Sequence, residues 1–248
     1  MINNVLFDAN LSPAGFRSRL ALRIADIQYM RVSVDLALFD QKSDHYRLLN
    51  PTGQVPTLML GGECVFDSHA IVDRVLQGSS SGVFRSDESC RFNPAALQNV
   101  ERAISQVMRP AVYEIVGPQR LRSRFDNWNE AHQVMEGRGV SPYFLEFAQS
   151  LFHKKSDPNV VRSVIRELEP LLGALEPLIE KSVPVNGINT IDYFDICLGS
   201  RLNSIRLLGL DPTNILGSYL DRLNEYELWK EVSGQVSDME FIEYMEQL

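Results

Sequence analysis

The residues best suited to chemistry stand where predicted helices begin. Ser12 precedes Pro13 at the start of the first predicted helix, and Asp67-Ser68 open another. A serine hydroxyl beside a helix N-terminus can donate a hydrogen bond to an anion such as a thiolate and so lower the pKa of the thiol. The same residues can instead cap their helices. For Ser12, the local sequence favours helix capping over anion binding. For Asp67-Ser68, it favours neither role, and one residue can perform both.

Cysteine and metal chemistry have less support. The three cysteines, Cys64, Cys90 and Cys197, follow no CxxC spacing and are odd in number. This pattern predicts neither a disulfide framework nor a structural zinc site, and it fits a reducing compartment. The four histidines show no metal-ligand spacing either, so no metal is expected.

Composition bounds the class of protein. The chain has 248 residues, of which 44% are hydrophobic and 23% charged, as in ordinary globular proteins. Its formal net charge of −8 argues against nucleic acid as the main partner, because such proteins concentrate Lys and Arg. No signal-peptide pattern opens the chain, and no segment approaches the roughly 20 apolar residues of a membrane helix. We therefore expect a cytoplasmic protein without a nucleic-acid or membrane partner.

The elements that must position Ser12 and Asp67-Ser68 alternate between strand and helix patterns. A short apolar run at residues 5–7 predicts a strand, residues 16–27 have helical spacing, and residues 29–36 alternate as a strand does. Together they form a βαβ unit with parallel strands. Two further apolar runs flank Gly61-Gly62, which predicts a β-hairpin before the helix at Asp67-Ser68. The order βαβ-ββα is that of a thioredoxin-like domain.

A small polar segment separates this region from the rest of the chain. Residues 78–89 read GSSSGVFRSDES and have no hydrophobic period, as is typical of a linker. No strand pattern follows it. We therefore predict a first domain at residues 1–78, a linker at 79–92 and an all-helical second domain at 93–248.

The first part of the second domain contains one clear helix. Asn93-Pro94 predicts a capped start, and the pattern continues towards Val116. Pro110 lacks the amide hydrogen that a helix interior uses, which predicts a kink or an early end. Residues 117–158 are predicted as short helices and loops.

Two further helices are predicted next, and two or more short helices then carry the chain to Leu248. An apolar stripe runs from Val160 to Ile179, with bends expected at Pro170 and Pro177. The segment Asn189-Thr190-Ile191-Asp192 predicts another helix start, with Asn189 as the cap and Asp192 reaching back to it in a capping box.

Three sequence segments together resemble the glutathione S-transferase superfamily of the cytosolic, serine-type class. They read LSPAGFRSRLAL, LNPTGQVPTL and VFDSHAI, and they occur in the same order and spacing as in that family. The resemblance is strong over residues 1–76 and weaker in the helical half, where the helix at Asn189–Asp192 resembles the family's buried core helix. It implies glutathione as co-substrate, a small electrophilic second substrate and a homodimer.

The resemblance also implies roles for individual residues. Ser12 would hydrogen-bond the glutathione sulfur, and Gln54 would lie near the glycine end. Val55-Pro56 resembles the family's cis-proline, and the backbone of Val55 would pair with the cysteinyl backbone like an added strand. Asp67 would pair with the α-ammonium group of the γ-glutamyl end, while Ser68 would bind its carboxylate at a helix N-terminus.

Other residues have less definite roles. Lys42 and His45 are alternatives for the glycine carboxylate of glutathione. Phe16, Met108 and Tyr113 are candidates for an apolar groove that binds the second substrate, although such residues at helical spacing usually belong to a core.

Three charged or titratable residues near these motifs have no assigned chemistry. Arg17 and Arg19 are predicted on the exposed face of the first helix, with an acidic partner as the alternative for Arg17. His69 is predicted as a surface or capping residue.

These expectations lead to two main functional hypotheses. In the first, glutathione thiolate stabilised by Ser12 attacks an electrophilic carbon or a double bond. In the second, the chain is a non-catalytic binding or regulatory member of the same fold, since fold does not fix function. A thiol transferase or peroxidase is disfavoured, because Ala14 occupies the turn where relatives with that chemistry carry cysteine.

Overall fold

A computed structural model describes residues 4–77, 84–85, 93–181, 191–210 and 214–247. Most of the predicted linker at 79–92, together with Cys90 and Asn189, lies outside these ranges. None of the helices in the described ranges combines the length and the apolarity that crossing a bilayer requires.

The first part of the chain has the predicted thioredoxin-like order of elements, with one additional helix, α2. The elements are β1 Val5–Asp8, α1 Pro13–Ile24, β2 Met30–Ser33, a 3-10 turn Asp40–Lys42, α2 Asp44–Leu49, β3 Thr57–Leu60, β4 Glu63–Phe66 and α3 Ser68–Leu76. Strands β1 and β2 are parallel, β3 is antiparallel to β1, and β3 and β4 form the predicted hairpin around Gly61-Gly62. The fold class is confirmed.

The rest of the chain is mostly helical. After β5 (Phe84–Arg85), the elements are α4 Pro94–Ala111, a π-helical turn Val112–Val116, α5 Gly117–Arg124, α6 Trp128–Gly137, α7 Pro142–Phe152, α8 Pro158–Lys181, β6 Ile191–Asp192, a second π-helical turn Asp195–Gly199, α9 Ser200–Leu207, α10 Asn214–Leu223, α11 Glu227–Gly234, β7 Met239–Glu240 and α12 Phe241–Glu246. Pro110 lies just before the first π-helical turn, so the regular helix ends close to where its missing amide hydrogen predicts. By contrast, α8 continues through both Pro170 and Pro177.

Three strands, β5, β6 and β7, appear where the sequence shows no strand pattern. Strand β6 pairs with β5, and β7 joins the N-terminal sheet in parallel beside β2, giving the order β4-β3-β1-β2-β7. Directly after β7, the buried Phe241 packs edge-on against Phe7 and Tyr46, with ring centroids 6.2 and 5.3 Å apart. Each strand has only two residues, too few for an alternating pattern. The end of the chain is therefore part of the N-terminal core.

A reciprocal capping box joins Asp192 and Asp195, three residues further along the chain than the box predicted at Asn189 and Asp192. The amide of Asp195 donates to the carboxylate of Asp192 at 2.9 Å, and the amide of Asp192 donates to the carboxylate of Asp195 at 3.1 Å. Asp192 therefore caps the turn that follows it, while Ile191 and Asp192 are extended in β6. The proposed cap Asn189 lies outside the described residues.

A buried carboxylate fixes where α1 crosses the sheet. Asp8, at the end of β1, is fully buried and accepts a 2.8 Å hydrogen bond from Arg31, while Arg19 lies 3.5 Å away. Gly15 in α1 passes so close that an added Cβ would lie 2.7 Å from the Asp8 carboxylate oxygen. The first helix can approach the sheet only because residue 15 has no side chain.

We predict that Gly15→Ala destabilises the protein, although alanine is the better helix former. The new methyl group must displace a carboxylate held by buried arginines, and such overpacking typically costs about 1–3 kcal/mol. Gly173→Ala is the matched control, because Gly173 lies inside α8 with no atom within 4 Å of its added Cβ. There we expect about 0.5–1 kcal/mol of stabilisation. Urea unfolding of both variants measures the difference, and equal effects would contradict the close approach.

Candidate functional site

The strand register brings the segments that contain Ser12, Val55-Pro56 and Asp67-Ser68 to the same end of the sheet, which we call the motif edge. Phe7 of β1 lies opposite Thr57 of β3, which in turn lies opposite Phe66 of β4. The chain therefore leaves β1 towards Ser12, enters β3 from Val55-Pro56 and leaves β4 towards Asp67 at the same end of the sheet. The Val55-Pro56 bond is cis, as the resemblance implied.

Ser12 caps α1 and also lines a cavity. Its Oγ accepts a 3.1 Å hydrogen bond from the amide of Gly15, and Pro13 occupies the first helical position. Capping uses the oxygen as an acceptor and leaves the hydroxyl hydrogen free to donate. The two roles considered for Ser12 are thus compatible.

Buried polar side chains hold the loop before β3 through hydrogen bonds to its backbone. The carbonyl of Gln54 accepts hydrogen bonds from Tyr46 Oη at 2.8 Å and from Asn50 Nδ2 at 2.9 Å. The Gln54 side chain itself is exposed. Within the described residues, neither the N–H nor the C=O of Val55 bonds to another group. This backbone donor and acceptor are available to a ligand.

Asp67 and Ser68 open α3 as predicted, and each keeps unused hydrogen-bonding capacity. Asp67 has a left-handed φ of 78° and caps the helix through Oδ1, which accepts from the amides of His69 and Ala70 at 2.9 and 3.2 Å. Its Oδ2 has no partner among the described residues. Ser68 is buried, and its Oγ accepts a 2.9 Å hydrogen bond from Arg17, which leaves its own hydrogen free.

Arg17 is the centre of a buried charge network, which confirms the acidic-partner alternative for this residue and not the exposed position. Far from being exposed, it is fully buried and forms an ion pair with Glu101 of α4, 84 positions away in sequence. Arg201 of α9 contacts the same carboxylate at 3.1 Å. Arg19 is buried as well. Helix α1 packs against α3, α9 and α11, so both arginines face the interior although Arg23 of the same helix is exposed.

His69 belongs to the same network and not to the surface. Its Nε2 lies 2.7 Å from Oε2 of Glu101 and 2.8 Å from Nη1 of Arg17. Because an ionised carboxylate oxygen can only accept, we assign a hydrogen to His69 Nε2, which donates it to Glu101. The other ring nitrogen, Nδ1, lies 3.3 Å from the hydroxyl of Tyr193.

The network keeps Glu101 ionised. Burial by itself raises the pKa of this carboxyl group. The hydrogen bond from His69 and the charges of Arg17 and Arg201 outweigh burial and lower the pKa from 4.5 to about 2. A buried charge compensated in this way ties α1, α3, α4 and α9 together directly behind Ser68.

A cavity of about 410 Å³ adjoins Ser12 between the two parts of the molecule. Met108 and Tyr113 line it as predicted, and they share one wall with Val112 and Val116 of the π-helical turn. Phe16 does not line it. The Phe16 ring faces inward against the fully buried Trp229, with centroids 4.7 Å apart, so its assignment to the groove is wrong.

Three phenylalanines that sequence reasoning did not place in the site form an aromatic wall beside Tyr113, whose ring meets that of Phe147 edge-on at 5.5 Å. Phe39 has a left-handed φ of 60° and stacks on Phe144 at 6.2 Å, while Phe147 meets it edge-on at 6.0 Å. All three line the cavity. Phe39 lies in a segment without hydrophobic period, and the other two lie on α7 in the region predicted as mixed, so no pattern pointed to them.

Lys42 and His45 are separated by the structure. Lys42 lines the cavity with Ser12, and its Nζ donates to the carbonyl of Gly53 at 2.6 Å. His45 lies beside Leu48 and Pro51 in a separate shallow depression. Neither Val55 nor Asp67-Ser68 lines the cavity, so Ser12 is the point where the motif edge of the sheet and the cavity meet.

Neither cysteine in the described part of the chain is suited to nucleophilic catalysis beside Ser12. Cys197 is buried, and burial raises the pKa of its thiol to about 12. Cys64 is exposed on β4. Among the described residues, no group of three or more His, Cys, Asp or Glu side chains could hold a metal ion.

Comparisons with known proteins agree with this architecture. The family described as "Glutathione S-transferase, N-terminal domain" matches residues 4–76. No curated protein sequence matches the chain significantly. Similar solved structures include the β-etherase LigF from Sphingobium sp., with a TM-score of 0.69 and 18% identity over 93% of this chain and 98% of that one.

Two further solved structures are similar over nearly their whole lengths. The theta class glutathione S-transferase from Xanthomonas axonopodis pv. citri, with glutathione bound, has a TM-score of 0.65 and 16% identity over 95% of this chain and 99% of that one. A bacterial zeta class maleyl pyruvate isomerase has a TM-score of 0.64 and 16% identity over the same shares. At these identities the likeness shows the fold.

We predict that Glu101→Gln destabilises the protein by about 3 kcal/mol at neutral pH, because a pKa lowered from 4.5 to about 2 corresponds to that free energy. The folded-state pKa lies below the unfolded one, so the stabilisation is complete above about pH 5 and is lost as the pH falls towards 2. The stability difference between wild type and variant should therefore shrink on acidification.

Glu231→Gln is the control for this experiment. Glu231 forms an exposed ion pair with Arg23, and such pairs contribute about 0–1 kcal/mol. Urea unfolding of the two variants at several pH values measures both effects. A Glu101→Gln penalty as small as that of the control, or one that does not change with pH, would contradict the charge network.

Proposed function

We propose that the chain is a member of the glutathione S-transferase superfamily and that it is a glutathione transferase in which Ser12 stabilises the glutathione thiolate; the match of its N-terminal domain and the likeness of its fold support this. The observation that carries the proposal is the sheet register. It sets Ser12, the Val55 backbone and Asp67-Ser68 at one edge, each with a hydrogen-bonding group not used by the protein.

The free groups fit an extended peptide with a charged group at each end. The N–H and C=O of Val55 can pair with its backbone in the manner of an added strand. At one end, the Ser68 hydroxyl can donate to a carboxylate, and Oδ2 of Asp67 can accept from an ammonium group. Lys42 is the cation available to a carboxylate at the other end, near Gln54.

Ser12 then acts on the sulfur. A free thiol has a pKa of about 8.5 and is mostly protonated at neutral pH. The Ser12 hydroxyl hydrogen, together with the N-terminal end of α1, favours the thiolate. The sulfur lone pair forms a bond to an electrophilic carbon of a small molecule in the cavity, and the electron pair of the broken bond leaves with the leaving group or passes to the far atom of a double bond.

The cavity can bind the second substrate of the reaction. Met108, Tyr113 and the aromatic wall of Phe39, Phe144 and Phe147 exclude water and favour an apolar substrate beside Ser12. We also infer that the protein forms a homodimer, as the family resemblance implies. Sedimentation of the purified protein would test this.

We predict that Ser12→Ala raises the pKa of the bound thiol by about 1 to 2, because a hydrogen bond to a charged group contributes about 1.5–3 kcal/mol. Turnover at neutral pH should fall by about tenfold or more. Thiolate absorbance in the ultraviolet, followed against pH with glutathione bound, measures the pKa directly.

Ser12→Asp separates catalysis from capping. Its carboxylate can accept from the Gly15 amide, so it should retain the roughly 1 kcal/mol of cap stability that Ser12→Ala loses. It has no hydroxyl hydrogen for the sulfur and should show the same functional loss. Unchanged thiolate formation in both variants would refute the role of Ser12. Absence of glutathione binding by calorimetry at millimolar concentration would favour a non-catalytic binding protein of the same fold.

A further inference from the structure

The cavity beside Ser12 is cationic in a chain whose net charge is −8. Four basic side chains line it: Lys42, Arg109, Arg120 and Arg201. None of the described residues that line it carries a carboxylate. An apolar cavity for a neutral electrophile needs no such excess of positive charge.

Three of the four cations have partners or are exposed. Lys42 donates to the carbonyl of Gly53, and its ammonium group lies 5.4 Å from the ring centre of Phe144. Arg201 contacts Glu101. Arg109 is exposed at the end of α4. The charge of Arg201 is therefore compensated by the protein and that of Arg109 by solvent, while Lys42 is the cation proposed above for a carboxylate of glutathione.

Arg120 is different. It is half-buried on α5, and no hydrogen bond or ion pair of its guanidinium group occurs within the described ranges. The nearby Asp35 partly favours its charge, but that carboxylate already contacts Arg124 and accepts from the amides of Ala37 and Leu38. Burial lowers the pKa of Arg120, which reflects a desolvated charge without a sufficient counter-ion.

The helical wall places this group in line with the apolar contacts. Arg109, Val112, Val116 and Arg120 line the cavity at steps of three or four residues along α4, the π-helical turn and α5, with Tyr113 beside Val112. Residues at this spacing lie on one face of a helix. The row has a cation at each end, the exposed Arg109 and the half-buried Arg120, with aliphatic and aromatic side chains between them.

We propose that the second substrate is an aromatic electrophile that carries a carboxylate, and that Arg120 is the residue that pairs with this carboxylate. The inference rests on the proposed function in calling the ligand a substrate. A planar guanidinium binds a carboxylate through two parallel hydrogen bonds. The rings of Phe39 and Phe147 offer an offset or edge-on surface for the aromatic part.

The test uses a naphthalene carboxylate and its neutral carboxamide, which have nearly the same shape. Calorimetry without glutathione should show that wild type binds the carboxylate about tenfold more tightly than the carboxamide. Added salt should reduce this preference, because it screens the charge. Arg120→Gln should abolish the preference and leave carboxamide binding within about twofold, while Arg120→Lys should retain part of it.

Arg102→Gln is the matched control, since Arg102 is exposed on α4 and does not line the cavity. It removes the same charge and should preserve the preference. Thermal unfolding establishes that every variant is folded. Equal binding of the two probes by wild type, or equal loss in Arg120→Gln and Arg102→Gln, would overturn the proposal.

The result can be separated from the test of Ser12, because these titrations contain no glutathione. Glutathione binding without carboxylate preference would reject the role of Arg120 and leave the transferase proposal standing. Carboxylate preference without glutathione binding would keep Arg120 as an anion-binding residue and reject the transferase.

Discussion

The buried contact between Arg17 and Glu101 is the constraint on which the rest of this structure depends. A charge removed from water must be compensated where it lies, so each partner fixes the position of the other. Arg17 belongs to α1 of the sheet domain and Glu101 to α4 of the helical part. Arg17 also holds Ser68, and its Nη2 donates to the carbonyl of Cys197 at 3.2 Å. One guanidinium thus sets the spacing between the motif edge and the helices that form the cavity.

The sequence predicts turns and helix caps well, because they depend on neighbouring residues. It predicts contacts between residues far apart in the chain poorly. The hairpin around Gly61-Gly62, the caps at Ser12 and Asp67 and the helix at Asn93-Pro94 each follow from neighbouring residues. The pairing of Arg17 with Glu101 joins positions 84 residues apart, and no periodicity encodes it. Strand β7 is missed for the same reason, since two residues pair with β2 only because the folded chain brings them there.

The candidate site shows the same division. Ser12, the cis bond at Pro56 and Asp67-Ser68 were predicted from the three motifs, whereas the aromatic wall and Arg120 were not. Phe16 was misplaced because helical spacing alone cannot tell which face of α1 meets Trp229 and which meets the cavity. Whether a residue lines a groove depends on how several helices and strands pack together. A single sequence gives only the hydrophobic pattern of each element separately.

The two clusters of charge on either side of Ser12 differ in how they are compensated. Behind Ser68, the carboxylate of Glu101 offsets Arg17 and Arg201, so that region is held rigidly by internal pairs. In the cavity, the guanidinium of Arg120 has no such partner among the residues that the structure describes. A reaction that brings a thiolate close to an anionic substrate must overcome repulsion between like charges, which is stronger where water is excluded. A cation left unpaired by the protein can offset that repulsion, whereas one already bound to a carboxylate cannot. The absence of an internal partner for Arg120 is therefore what would make the pairing of two anions in this cavity possible.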